Sequence, residues 1–223
     1  WELIVMDGGS IDGSVSVIRN YENNIAFWES KPDRSIYNAW NKALNYARGE
    51  WICFLGADDY FWNSDVLSDV EPHLKKAADA GIKVVYGQAA KVNRHGRVIK
   101  TVGKPWGKIR WLMRHGMPMI HAGVMHHRSL FDIHGQFDES FKIAGDYEFL
   151  LRELKNGQAL FADGVRIVGH QVGGISTVQN LLMHLEVARA RRRNRLPSFS
   201  YVWAVVFLRA FIRQLWRSIF PSL

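Results

Sequence analysis

Two short apolar runs in this chain each stop on an acidic turn, and that repetition limits the folds open to it. Residues 3–6 end at Asp7, which opens the polar stretch Asp7-Gly8-Gly9-Ser10-Ile11-Asp12-Gly13-Ser14. Residues 51–55 stop at Gly56-Ala57-Asp58-Asp59. Runs this short and apolar read as buried strands. Helix-like spacing follows over residues 15–21 and 64–80. A strand over 25–28, a helix over 36–47 with Gly49 just past it, and a strand over 82–86 complete the pattern. Strands alternating with helices predict an α/β domain with a mostly parallel sheet and helices on its faces. Trp1 begins directly on the first run, so that run reads as an internal strand with another expected ahead of it.

Further along, His95-Gly96 separates two strand-like runs and predicts a hairpin. Residues 128–134 and 146–155 read as helices closed by Gly135 and Gly157. Asp163-Gly164 lies between apolar runs and predicts a second hairpin. Ser176 and Gln179 have capping-box form and predict a helix toward Arg193. Pro197 breaks it, and a last helix is predicted over 198–220.

In open α/β sheets ligands bind beyond the carboxyl ends of strands. Both acidic turns can therefore face one crevice. Carboxylates gathered there suit Mg²⁺ or Mn²⁺ bridging to diphosphate oxygens. The plainer alternative is that Asp7 and Asp12 cap a helix and Asp58-Asp59 form a turn. Neither the G-x-G-x-x-G spacing nor a G-x-x-x-x-G-K-[ST] loop occurs, which removes the main support for a dehydrogenase or P-loop reading. The histidines, including His121, His126 and His127, show no tight zinc-ligand spacing and read as structural. His170 precedes the Gly173-Gly-Ile-Ser176 segment, where it can touch a diphosphate. Lys42 and Arg48 fit either solvated helix charges or diphosphate contacts. Cys53 reads as a buried filler, and a single cysteine excludes an internal disulfide and fits a reducing compartment.

These residues resemble family 2 glycosyltransferases, which have the GT-A fold. The resemblance runs through Glu2 to Ser14, Glu29-Ser-Lys-Pro-Asp33, Ile36-Tyr-Asn-Ala-Trp-Asn-Lys-Ala43 and Gly49 to Tyr60. It continues through His121-Ala-Gly-Val, Gly135-Gln-Phe-Asp-Glu139, Gly145-Asp-Tyr-Glu148 and Gly173-Gly-Ile-Ser176. The blocks occur in order over residues 1–176. The resemblance implies that Asp7 contacts the base or ribose of a nucleoside diphosphate sugar and that Asp33 borders the nucleotide. It implies that Asp59 is the metal-binding end of a D-x-D motif, with Asp58 beside it near the sugar. Asp146 matches the proposed catalytic base of inverting members. Two positions depart from the pattern: Arg34-Ser35 replaces a residue followed by Gly, and Asn38 stands where Asp is frequent. The Q-x-x-R-W motif of processive synthases is absent, so single-sugar addition is expected.

Charge sets the rest apart. The chain carries +8 overall, yet no acidic residue follows Glu186, while Arg189, Arg191, Arg192, Arg193, Arg195, Arg209, Arg213 and Arg217 do. Residues up to 188 are formally neutral, which argues against a nucleic-acid-binding body. Along the last helix, Arg209, Arg213 and Arg217 share one side; Leu208, Phe211, Ile212, Leu215 and Ile219 share the other, with Trp203 and Trp216 as anchors. That is an interfacial pattern. The expected organisation is a catalytic domain over 1–176 and an arginine-rich helical tail over 177–223. The tail would hold the enzyme at the inner, cytoplasmic face of an anionic membrane, near a lipid-linked or glycan acceptor. The rival readings are a metal-dependent nucleotidyltransferase, which would form a sugar nucleotide, and a non-catalytic membrane scaffold.

Overall fold

The computed structural model describes residues 1–173, 180–201, 203–205, 207, 208, 211 and 212. Strand β1 (Ile4–Asp7), helix α1 (Ser14–Asn20), strand β2 (Phe27–Ser30) and helix α2 (Ile36–Leu44) come first. Strands β3 (Trp51–Cys53) and β4 (Tyr60–Phe61), helix α3 (Val66–Asp79) and strands β5 (Val84–Val92) and β6 (Val98–Val102) follow. Helix α4 (Trp106–Ile109), strand β7 (Val124–His127), helices α5 (Ser129–His134) and α6 (Gly145–Leu154), strand β8 (Leu160–Gln171) and helix α7 (Asn180–Arg193) complete the order.

Strands β1 and β2 pair in parallel as a two-stranded sheet. The larger sheet runs β3-β7-β5-β8-β4, with β6 folded back on β5. The predicted hairpin at His95-Gly96 is present, and Gly96 takes a positive φ of 74°. The expectation of a mostly parallel sheet needs correction. Only β1/β2 and β5/β8 are parallel among the described pairs; β7 enters antiparallel to both β3 and β5. The alternation of strand and helix lapses after α3, and with it the reason for parallel crossovers.

The hairpin predicted at Asp163-Gly164 is also overturned. Strand β8 keeps one direction, pairing with β5 on both sides of that point. Tyr86 faces Phe161 and Gln88 faces Arg166, so residues 162–165 bulge outward opposite Gly87. Gly164, at φ 80°, makes the bulge rather than a reversal. Gly87 has no room for a side chain: an added Cβ would lie 2.6 Å from the Val165 carbonyl oxygen and 2.8 Å from Ile167 Cγ1.

Strand β5 is buried on both faces and splits the core by its period of two. Val84 and Tyr86 join Tyr37, Phe54, Phe149 and Leu150 on one side. Val85 and Ala89 join Val66 and Val70 of α3, with Ile167 and Val168, on the other.

Helix α7 belongs to the first core. Val187, Ala188 and Ala190 are buried in it together with Trp203, whose Nε1 donates to the His184 carbonyl at 3.1 Å. Three of the tail's arginines bond to the rest of the protein. Arg189 donates to Ser140 and lies 4.5 Å over the Phe141 ring, Arg193 pairs with Asp138, and buried Arg191 donates to the Ser198 carbonyl at 3.2 Å. Helix α7 packs against α6 in that core. Residues 201, 203–205, 207, 208, 211 and 212 are helical, and Tyr201, Leu208, Phe211 and Ile212 point outward. No helix among the described residues is long and apolar enough to cross a membrane. The Ser176–Gln179 capping box and Arg209, Arg213, Leu215, Trp216, Arg217 and Ile219 lie outside the described residues.

Replacing Gly87 by Ala should destabilise the β5/β8 ladder by ~1–3 kcal/mol, since backbone must shift to admit the methyl group. Thermal melting of the variant checks this; an unchanged midpoint would mean the bulge can yield freely.

Candidate active site

Asp7 closes β1, and its Oδ2 accepts from Gly9 N at 3.1 Å, Ser10 N at 2.9 Å and Ser30 Oγ at 2.6 Å. Ser30 is its register partner on β2. Hydrogen bonding from Ser10 and then Ser30 holds the Asp7 carboxyl down to about 2. Asp12 accepts from Ser14 N at 3.1 Å and Ser14 Oγ at 2.7 Å, at the first residue of α1. Asp33 pairs with Lys42 at 2.7 Å. Its Oδ2 lies 3.7 Å from where a Cβ on Gly8 would stand, so Asp33 faces the turn after β1. This settles the surroundings of the two basic residues left open by sequence: Lys42 binds Asp33, and Arg48 binds Glu2.

The turn after β3 carries the second acidic pair. Asp59 Oδ1 receives His170 Nδ1 at 2.8 Å and the Gln171 N–H at 3.3 Å. His170 thus sits against Asp59, brought there by the pairing of β4 with the end of β8. Asp58 is exposed, and no group among the described residues bonds its carboxylate. Beneath this turn His121 is buried, stacked on Trp40 at 5.0 Å. Burial pushes its ring down to about 3, and the Asp59 charge offsets this only in part. His121 is therefore neutral. His126 is buried beside it at 5.0 Å, with Nδ1 3.1 Å from the Ile52 carbonyl. His127 contacts Glu50 and Ser129. The structural reading of these three histidines fits their surroundings.

Asp146 is the second residue of α6. Its Oδ1 accepts from Tyr147 N at 2.8 Å and lies 3.4 Å from the Tyr37 hydroxyl. A helix N-terminus favours a carboxylate, and from sequence that alone predicts a strongly ionised group. Burial outweighs it and pushes the Asp146 carboxyl up to about 6. The group remains ionised at neutral pH, with a far greater hold on its proton than an ordinary Asp.

The positions that depart from the family pattern answer to one residue. Glu139 accepts from Arg34 Nη2 at 2.7 Å, Asn38 Nδ2 at 3.0 Å and Asn41 Nδ2 at 3.1 Å. An Asp at position 38 would face that carboxylate with like charge, whereas the amide donates to it. Helix α2 links the parts: Tyr37 reaches Asp146, Trp40 meets Tyr37 edge-on at 5.4 Å and stacks on His121 below Asp59, and Lys42 holds Asp33. Two residues escaped the sequence reading. Tyr37 lies in the stretch 36–43, where the pattern alone gives it no role. Glu186 carried only the faint signal of being the last acid before an arginine run.

A protein-family model described as glycosyl transferase family 2 matches residues 1–131. This chain belongs to glycosyl transferase family 2. A PGL/p-HBAD biosynthesis glycosyltransferase of Mycobacterium bovis is 24% identical to this family member over 163 residues, covering 70% of this chain and 59% of the relative. An uncharacterized glycosyltransferase of Mycobacterium tuberculosis is 29% identical over 151 residues, covering 68% and 56%. The chain thus spans less than two thirds of the length of these relatives. Among solved structures, residues 1–349 of Staphylococcus aureus TarS in complex with UDP match with a TM-score of 0.61 at 18% identity, over 86% of this chain and 55% of that one. The mannosyltransferase PcManGT of Pyrobaculum calidifontis, in complex with GDP-Man and Mn²⁺, matches at 0.59 and 19%, over 85% and 53%. The α/β fold expected from sequence, of GT-A type, is the one this glycosyl transferase family 2 chain has. Asp146, His170 and Glu186 lie beyond the stretch matched by the family model.

The partly buried Asp146 carboxyl gives a signed stability prediction. An unfolded Asp titrates near ~3.9, and the folded one near about 6. Between those values the folded state holds more protons, so stability falls as pH rises through that window. Asp146→Asn, which can still accept from Tyr147, should melt higher than the parent above about pH 6, with the gap closing below about pH 4. A pH series of melting curves reads this, and a variant less stable at every pH would contradict it.

Proposed function

We propose that this chain transfers a sugar from a nucleoside diphosphate sugar to an acceptor hydroxyl, singly and with inversion. The observation that carries this reading is the placement of Asp146. A carboxylate pushed up to about 6 is a stronger base than a solvent-exposed Asp, yet it is ionised at working pH. It would take the proton of the acceptor hydroxyl as that oxygen attacks the anomeric carbon. Bond formation and departure of the diphosphate on the opposite face give inversion. Asp7 and Asp33 flank the turn after β1, where the family resemblance sets the nucleotide. Asp58, Asp59 and His170 form the diphosphate end. TarS with UDP and PcManGT with GDP-Man and Mn²⁺ support a nucleotide-bearing donor in this fold.

Mg²⁺ or Mn²⁺ fits the donor set. Asp59 has one oxygen engaged by His170 and Gln171, and Asp58 is exposed. Among the described residues no group of three or more potential ligands exists. One or two carboxylates completed by substrate phosphates is the usual Mg²⁺ arrangement. Asp58 and Asp59 would hold the ion, which when bound neutralises charge on the diphosphate. A nucleotidyltransferase could use the same carboxylates, but it would release pyrophosphate rather than nucleoside diphosphate.

The test is a donor screen on the full-length protein with Mn²⁺ and several nucleotide sugars, reading released nucleoside diphosphate. Asp146→Asn should lower turnover by ~10²–10⁴ while donor binding persists. Parental turnover in the folded variant would remove Asp146 as base, and pyrophosphate release would favour the nucleotidyltransferase.

We also propose that the enzyme acts at the inner face of an anionic membrane, on a lipid-linked or cell-surface glycan acceptor. The support is the outward set Tyr201, Leu208, Phe211 and Ile212 beside exposed Arg192 and Arg195. Truncation would tear buried Trp203 from the core, so substitution is the cleaner probe. Changing Leu208, Phe211 and Ile212 to Ser should release the protein from vesicles containing phosphatidylglycerol and leave its melting point in place. Unchanged sedimentation with those vesicles would count against the membrane role.

A further inference from the structure

Helix α7 holds a single acid, Glu186, and it is buried. Its Oε1 accepts from Lys142 N at 2.8 Å, and its Oε2 accepts from Ile143 N at 2.8 Å and Ala144 N at 2.9 Å. Three successive backbone N–H groups thus converge on one carboxylate, a nest for an anion that the protein fills itself. The next residue, Gly145, opens α6, and Asp146 follows. From the other side, the Tyr37 hydroxyl donates to the Ile143 carbonyl at 2.6 Å and accepts from Gly145 N at 2.8 Å. The Tyr37 ring lies against Gly145 so closely that a Cβ there would stand 2.7 Å from Tyr37 Cε2. The backbone leading into Asp146 is gripped from two helices, one of them beyond the blocks of family resemblance.

We propose that Glu186 is a positioning residue for Asp146: it clamps the turn that presents that carboxylate and places a fixed negative charge behind it. The proposal rests on the reading of Asp146 as the base. A neutral side chain would satisfy part of the nest without the cost of a buried charge. The charge acts on Asp146 by like-charge repulsion, in the same direction as the larger effect of burial.

Other charged groups around α6 are engaged elsewhere. Arg152 binds Glu148 on the helix itself, and His134 of α5 pairs with Glu153. Arg114 reaches the Lys155 carbonyl past the far end, and His115 contacts Ser200. On α7, Arg189 binds Ser140, Arg191 binds Ser198 and Ser200, and Arg193 pairs with Asp138. Asn38, Asn41 and Arg34 engage Glu139 on the loop ahead of the turn. Tyr37 and Glu186 are left facing Asp146.

The experiment reads Asp146 directly, with or without transfer. The full chain is labelled with ¹³C at the aspartate carboxyls and titrated by NMR; Asp146→Asn identifies the Asp146 signal. Amide exchange is followed at Lys142, Ile143 and Ala144. Glu186→Gln keeps the shape and removes the charge, so the Asp146 midpoint should move down toward the ordinary carboxylate range. A residue that only braced the fold would leave that midpoint in place. Glu186→Asp keeps the charge but shortens the reach, so exchange at the three amides should quicken while the midpoint moves less than in the Gln variant. This second variant carries the test if Glu186→Gln does not fold. An unmoved midpoint in folded Glu186→Gln, or parental amide exchange in Glu186→Asp, overturns the proposal. If instead Asp146→Asn turns over like the parent while both Glu186 variants behave as described, the base reading fails and the clamp stands.

Discussion

The site depends on how one helix is packed. Helix α2 turns Tyr37, Trp40 and Asn41 toward the protein, at the i, i+3 and i+4 spacing that aligns side chains on one face. Tyr37 is buried against Phe137 and Trp40, and its hydroxyl ties down the entry to α6. Trp40 stacks on His121 under the Asp59 turn. Asn41 exchanges hydrogen bonds with the Phe137 backbone in both directions, at 2.9 and 3.0 Å. Ser35 starts the helix by accepting from Asn38 N at 3.2 Å. A tilt of α2 would therefore disturb the Asp33, Asp59 and Asp146 regions together. These close ring and amide contacts resist such a tilt, because a packed interior yields little to small displacements.

The legible parts of the sequence were those whose cause is local. A short apolar run followed by Asp fixes a strand and its exit, so β1 with Asp7 and β3 with Asp58-Asp59 could be read directly. Helix α2 announced itself through its apolar spacing. The hairpin expected at Asp163-Gly164 failed because its local signal is ambiguous. Asp-Gly supplies a positive φ, and a bulge needs that as much as a reversal does; only the pairing of residues 160–171 with β5 decides between them. Glu186 was illegible for a different reason. Its partners are backbone N–H groups 42 to 44 residues earlier in the chain, which leave no mark on side-chain identity. The pairing of Glu139 with Asn38 and Asn41 lies between these cases, since two Asn on one helix flank hint at a shared acceptor without naming it.

Asp146 shows two physical effects opposed at one atom. The α6 N-terminus and the Tyr147 N–H favour the charged form, and desolvation disfavours it. Burial wins, and the like charge of Glu186 adds to it. Two carboxylates near one turn disfavour each other's charged form. Functional sites commonly retain such unfavourable arrangements, because a group poised near working pH exchanges protons more readily than one held firmly in either state.

The same accounting changes what the arginines of the C-terminal region can do. In a linear reading all eight belong to one basic surface. In the fold, Arg189, Arg191 and Arg193 are turned toward Ser140, Ser198 and Asp138, where they fasten α7 to the protein. That use withdraws buried Arg191 from any surface contact. Arg192, Arg193 and Arg195 are exposed, and outward apolar residues follow them at Phe199 and Tyr201. An interfacial segment needs its cations and its apolar groups on one continuous surface. The proposed membrane contact is accordingly carried by the exposed residues from 192 onward that the structure describes, while α7 ahead of them carries Glu186 into the core. Under the proposed membrane reading, a contact with lipid there would press on α7, the helix whose buried Glu186 holds the turn ahead of Asp146.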